Sequence, residues 1–259
     1  MTNSAPIGLF DSGIGGTSIW SEIHTLLPNE NTIYLADSKN APYGQKSKEE
    51  IIALSKKNTE FLLNLNAKLI VVACNTATTN AIKELRASYD IPFIGIEPAI
   101  KPAANNSETH TIGILATKGT LNSELFSHSV LNYPNTKIIE QVGYGLVSLI
   151  EEGNMNSKEM TELLKSYLKP MVDANIDYLV LGCSHYPYLI PQIKKIIPEH
   201  IKIIDSGEAV ARQTKNILTD KNLLSDQKKS SSQIFYTNYN PMVLKTILKN
   251  KYTVIEKDF

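Results

Sequence analysis

Cys74 in "VVACNTATTN" and Cys183 in "YLVLGCSHYP" are the only cysteines in 259 residues, and each stands where an apolar run gives way to small polar residues. A thiolate is both a nucleophile and a base, and its ordinary pKa of about 8.5 falls beside a cation or at the start of a helix. One cysteine with a nearby histidine would suggest covalent catalysis. Two in matching settings suggest an acid and a base on opposite faces of one carbon: a thiolate removes a proton, a thiol returns one to the other face, and the stereocentre inverts. The plainer account is a pair of buried thiols serving as small hydrophobes. The five histidines show no ligand spacing near Cys74, so no metal is expected.

Groups that could tune the thiols stand close by. Asp11 ends an apolar run in "LFDSGIGG", and His185 is two residues beyond Cys183. Asp11 could exchange a proton with Cys74, and His185 with Cys183; the alternatives are a turn or cap aspartate and a structural histidine. Ser12, Asn75, Thr76 and Ser184 offer hydroxyl, amide and backbone donors to a carboxylate, or else only local turn bonds. "APYGQ" (41–45) is a turn signal whose Tyr43 could line a pocket. The "GIGG" of 13–16 lacks the spacing of a nucleotide loop, and reads as close backbone approach to a ligand or as a tight turn.

The elements that carry these residues alternate. Apolar runs at 7–10, 32–36, 69–73, 93–96, 111–115, 137–141, 178–181 and 201–204 read as strands. Amphipathic stretches at 47–64, 77–88, 121–131, 157–173 and 190–197 read as helices. The strand runs are continuous rather than alternating, which suits parallel strands covered on both faces, so the fold class is α/β with mainly parallel sheets. The Ser/Lys-rich stretch 226–232 reads as a surface loop.

The sequence also echoes itself. "IGLFDSGIGGTS" from Ile7 resembles "IGILATKGTLNS" from Ile112, "LIVVACNTATTNAI" resembles "YLVLGCSHYPYLI", and "FIGIEPA" pairs with "KIIDSGEA", at offsets of 105, 109 and 108 residues. Two similar α/β halves related by a pseudo-two-fold axis would bring the C-terminal ends of both sheets to one cleft, where ligands bind in such folds. The two thiols would then face one ligand from opposite sides.

Composition narrows the class. The 26 basic residues balance the 26 acidic ones, so nothing draws the chain to nucleic acid. No apolar run approaches the ~18 residues of a membrane span, and the start lacks signal-peptide character. The expectation is a cytoplasmic protein, in which a structural disulfide would be out of place.

Taken together, "DSGIGG" (11–16), "APYG" (41–44), "ACNTAT" (73–78), "LATKGT" (115–120) and "GCSHYP" (182–187) resemble the glutamate racemases of the aspartate/glutamate racemase superfamily. The resemblance implies interconversion of L- and D-glutamate without a cofactor, supplying D-glutamate for peptidoglycan. It implies Cys74 and Cys183 as the acid–base pair, with Asp11, His185 and an acid after the sixth strand in support. "SLIEEGN" makes that acid Glu151, with Glu152 the alternative. Substrate contacts would come from Asp11, Ser12, Tyr43, Gly44, Asn75, Thr76, Ser184 and His185. The implied fold is two α/β domains, 1–97 with 208–259 and 98–207, in which "DSGEAVARQTKNIL" returns the chain to the first; a homodimer is also implied. Ser184 departs from the usual threonine but keeps the hydroxyl, and "GGTSIWSEI" (15–23) is less apolar than usual. Two other readings stand beside this one: a racemase of aspartate, against which His185 argues, and a non-catalytic binder of acidic amino acids.

Overall fold

The computed structural model describes residues 3–226 and 231–259. Ten strands are found among them: β1 (Ile7–Asp11), β2 (Thr32–Ala36), β3 (Leu69–Val72), β4 (Phe93–Gly95), β5 (Thr111–Ala116), β6 (Lys137–Val142), β7 (Tyr178–Gly182), β8 (Lys202–Ile204), β9 (Gln233–Thr237) and β10 (Thr253–Glu256). They form a six-stranded sheet in the order β10-β9-β2-β1-β3-β4 and a four-stranded sheet in the order β6-β5-β7-β8. Every pairing is parallel. The fold class read from the sequence is therefore the one observed. β1, β2, β3, β5 and β7 are buried along their whole length, which is why their apolar runs are unbroken.

The internal echo is structural. Within the larger sheet the segment β2-β1-β3-β4 has the same order as β6-β5-β7-β8. The register agrees as well: Ile7 pairs with Leu69 where β1 meets β3, and the echoing Ile112 pairs with Tyr178 where β5 meets β7. Cys74 and Cys183 thus leave equivalent strands, β3 and β7, at equivalent ends. One apolar cluster joins the sheets, running from Leu9 and Val71 through Leu146, Ile150 and Tyr186 to Leu115 and Leu181. Each large side chain sealed in such a cluster contributes about 1.5–3 kcal/mol.

Helix boundaries follow local capping chemistry. Ser47 and Glu50 form a reciprocal capping box that starts the helix Lys48–Asn64. Ser157 caps Lys158–Asp173 through the Met160 N–H. The helix expected over 121–131 is two helices, Lys118–Leu121 and Glu124–Leu131, because the Ser123 hydroxyl accepts the Phe126 N–H and restarts the spiral. The stretch expected as a helix over 190–197 keeps only Ile190–Ile193, entered from a 3-10 turn over Tyr186–Leu189.

Two strands escape the sequence reading. β9 and β10 are short and mostly half-exposed or exposed, and lie at the sheet edge, so neither shows a long apolar run. They are attached through aromatic packing. Trp20, on the helix Thr17–Leu26, donates to the Thr32 hydroxyl at 2.9 Å and meets Phe235 of β9 edge-on at 4.7 Å and Tyr252 at 4.9 Å. The helix Gly207–Asp220 packs on that same helix and leads the chain back to the larger sheet. Residues 227–230 of the stretch read as a loop lie outside the described residues. Among the described residues no helix is long and apolar enough to cross a membrane.

Candidate active site

β3 delivers Cys74 as the N-cap of the helix Asn75–Ser88, in an extended conformation, and its sulfur accepts the Ala77 N–H at 3.4 Å. The thiol also contacts the Ser12 hydroxyl at 3.6 Å. Burial, together with the charge of Asp11, pushes the Cys74 thiol far above its ordinary value, and those two hydrogen bonds offset only part of this. Cys74 is thus a thiol at neutral pH.

Cys183 has different company. Its sulfur lies 3.8 Å from Nδ1 of His185, whose Nε2 is 2.6 Å from Oε1 of Glu151. Burial works against the charged ring, but the bonds to Cys183 and Glu151 and the charges of Asp11 and Glu151 outweigh it and hold the imidazole well above its ordinary value. The ring is therefore an imidazolium that donates to Glu151 on one side and faces the Cys183 sulfur on the other. A value raised above the unfolded one, about 6.5, brings stability that is complete below that pH and is lost as pH rises through the folded value. Nitrogen-15 NMR of labelled histidines should find His185 still protonated above the ordinary imidazole value of about 6.5, with the denaturation midpoint falling on the alkaline side. A His185 ring that titrates at that ordinary value would contradict this.

Asp11 is fully buried at the end of β1. Its Oδ2 accepts the N–H groups of Gly13 and Gly16 at 3.2 and 3.0 Å, and its Oδ1 accepts the Ser184 hydroxyl at 3.0 Å. Burial raises its pKa against the pull of His185 and these donors. It ties the glycine loop to the residue after Cys183, while its charge reaches Cys74 through space.

The glycine loop serves close approach. A Cβ at Gly13 would sit 1.9 Å from Oε1 of Glu151, and one at Gly15 would sit 2.2 Å from Nδ1 of His185. Gly15→Ala should therefore displace the imidazole and reduce turnover by about 10²-fold, since 1 Å of misplacement costs that much. Unchanged circular dichroism with reduced turnover would mark a local effect; full activity would contradict the contact.

The other expected residues are distributed as follows. Thr76 shares a hydroxyl contact of 2.8 Å with Thr117, which the echo sets in the place of Ser12. Gly44 packs on the same Thr117. Tyr43 shares an apolar cluster with Cys74, but its hydroxyl is engaged by Asp37 and Asn58 rather than turned to the sulfur. Asn75 is buried, and neither its amide nitrogen nor its oxygen has a hydrogen-bond partner. An amide left so costs about 1–3 kcal/mol, which a ligand between the sheets would recover. Of the adjacent glutamates, Glu151 enters the site and Glu152 turns out to Asn154.

Three contacts were not legible in advance. Ser38 donates to Oε2 of Glu151 at 2.8 Å, the Ile14 N–H donates to its Oε1 at 2.7 Å, and the Tyr34 hydroxyl donates to the Gly13 carbonyl at 2.8 Å. The only sequence signal for Ser38 is that it closely precedes "APYG". Among the described residues no group of three or more His, Cys, Asp or Glu is arranged to hold a metal ion.

Paired thiols at matching strand ends, with buried polar groups between them, are the equipment of an acid–base isomerase. The Asp/Glu/Hydantoin racemase family profile matches residues 10–214, and the chain belongs to that family. Within it the similarity is to enzymes acting on glutamate. The glutamate racemase of Ralstonia pickettii is 47% identical over 209 residues, covering 80% of this chain and 74% of that protein. A crystal structure of glutamate racemase isoform RacE1 from Bacillus anthracis superimposes with a TM-score of 0.89 at 31% identity, covering 99% of this chain and 98% of that one. That of Francisella tularensis glutamate racemase in complex with D-glutamate gives 0.85 at 30% identity, covering 99% and 98%.

Proposed function

We propose that this protein is a glutamate racemase that interconverts L- and D-glutamate by two-cysteine proton transfer and supplies D-glutamate for peptidoglycan. The observation that carries the mechanism is the equivalence of Cys74 and Cys183: both leave the matching strand of a repeated order, and the unpartnered amide of Asn75 follows the first.

In this scheme Cys183 acts as the base, with the ring of His185 3.8 Å from its sulfur, and Cys74, a thiol, acts as the acid. Cys183 then removes the α-proton of one enantiomer, and Cys74 protonates the opposite face. The reverse reaction exchanges these roles, with Asp11 on the Cys74 side and His185 with Glu151 on the Cys183 side. Ser12, Asn75, Thr76 and Ser184 provide donors for the substrate carboxylates, and Tyr43 and Gly44 shape the wall against Thr117. No cofactor is needed in this scheme. Fixed donors in a site shut off from water supply the stabilisation of the α-carbanion.

Both sulfurs are buried, Cys74 at 4% and Cys183 at 6% exposure, so a substrate reaches them only when the cleft opens. We assign 1–97 with 208–259 to one α/β domain and 98–207 to the other. The family resemblance carries with it a homodimer and a cytoplasmic location.

The test is incubation of purified protein in D2O with L-glutamate or D-glutamate, no cofactor added, followed by circular dichroism and proton NMR. Inversion with solvent deuterium at the α-carbon is the expected result. No exchange from either enantiomer, with turnover of aspartate instead, would reassign the substrate.

A further inference from the structure

We propose that Ser38 is a positioning residue that makes the Glu151–His185 pair behind Cys183 depend on closure of the cleft. The inference rests on the two-cysteine reading above.

Glu151 ends the helix Leu146–Glu151 after β6, and His185 follows β7, so both are carried by the four-stranded sheet. Their mutual bond at 2.6 Å lies within that half, so parting of the two sheets does not by itself break it. The other partners of the carboxylate come from the six-stranded sheet. The Ile14 N–H reaches Oε1 at 2.7 Å from the loop after β1, and the Ser38 hydroxyl reaches Oε2 at 2.8 Å from the turn after β2.

That turn is firmly held to its own sheet. Asp37, fully buried, accepts from Asn40 at 2.8 Å and also from Tyr43 and Asn238. The Lys39 N–H donates to Oδ1 of Asn238 at 3.0 Å, and Asn238 directly follows β9. Ser38 therefore cannot follow Glu151 when the halves part. In the open cleft the carboxylate keeps one partner, His185, and can turn about its own axis.

On closure the Ser38 hydroxyl fixes the second oxygen. This sets the plane of the carboxylate, hence the direction from which Oε1 meets Nε2, and hence the aim of Nδ1 at Cys183. Ile14 acts through its backbone, so Ser38 is the side chain by which the coupling can be cut.

The experiment compares wild type, Ser38→Ala and Ser38→Thr by proton and nitrogen-15 NMR of histidine-labelled protein, with and without saturating glutamate, alongside kcat, KM and the thermal midpoint. A bond between imidazolium and carboxylate gives a downfield, slowly exchanging Nε2 proton for His185. Ser38→Ala should speed its exchange with solvent about tenfold and lower kcat about tenfold, the size of one hydrogen bond to a charged group, while KM changes less than threefold. Ser38→Thr, which keeps the hydroxyl, should restore both. Equal exchange in wild type and Ser38→Ala overturns the proposal. So does a Thr variant as impaired as the Ala variant with a lowered thermal midpoint, the mark of a merely structural role. A wild type that leaves glutamate untouched refutes the functional reading instead, and the exchange rates in unliganded protein then decide the role of Ser38 alone.

Discussion

Cys74→Ala and Cys183→Ala should each lose racemisation by about 10²–10⁴-fold, the range for removal of a positioned acid or base. The loss should not be the same in kind. Each variant keeps the sulfur that faces one side of the α-carbon, so it should still exchange the α-proton of one enantiomer with solvent, and the two variants should do so with opposite enantiomers. Their residual rates should also differ. In Cys74→Ala the surviving Cys183 retains the imidazolium of His185 at 3.8 Å. In Cys183→Ala the surviving Cys74 has only the Ser12 hydroxyl and the Ala77 N–H, and burial with the Asp11 charge opposes its thiolate. One-sided exchange is thus expected to be faster in Cys74→Ala. Deuterium uptake into each enantiomer, read by proton NMR, checks this. Uptake into both enantiomers by a single variant would be incompatible with sulfurs on opposite faces.

The second large effect concerns stability. Lys68→Met should destabilise the fold by about 3–5 kcal/mol, as loss of one partner of a buried ion pair does. Lys68 is fully buried, and its Nζ lies 2.6 Å from Oε2 of Glu30, itself 3% exposed. The same ammonium donates to the Asn3 carbonyl at 2.6 Å and the Leu223 carbonyl at 2.7 Å. The other Glu30 oxygen accepts the Ser225 N–H at 2.7 Å. Removing the cation strands a carboxylate and two carbonyls in the interior, so the urea midpoint should fall. Adding Glu30→Gln should recover part of the loss, because the orphaned charge goes too. A single variant as stable as wild type would mean that water reaches this cluster.

Much of this arrangement was legible in the sequence because it is written in strand interiors and in repetition. Ile7 to Asp11 and Leu69 to Val72 are wholly buried, so their apolar runs announced parallel strands, and their echoes at Ile112 and Tyr178 announced a second set in the same register. Asp11, Cys74, Cys183 and His185 stand at the ends of those strands and were found with them. What stayed hidden depends on contacts between distant segments. Nothing near Ser38 signals a bond to a glutamate 113 residues away, and nothing around Ser123 outweighs the apolar periodicity that suggested one helix instead of two. β9 and β10 were obscured because strands at the margin of a sheet need apolar character on one face only, and Phe235 is the sole buried apolar residue in either.

The six-stranded sheet is built from both ends of the chain, and this has a consequence for synthesis. The four strands of the smaller sheet lie in one stretch, from Thr111 to Ile204, and can pair as soon as that stretch has left the ribosome. The larger sheet must wait. β9 pairs with β2 across some two hundred residues, and Lys68 finds Leu223 only after the return helix is made. Domains generally fold in order from the N-terminus during synthesis; here the middle of the chain can mature before its beginning. A nascent chain carries both cysteines long before it carries β9, Asn238 and the strand that ends the sheet, so the first catalytic half is the last part to become rigid. A ribosome-bound chain halted before Gln233 would hold every residue of the proposed chemistry and still lack the edge that fastens Asp37, and with it Ser38, in place.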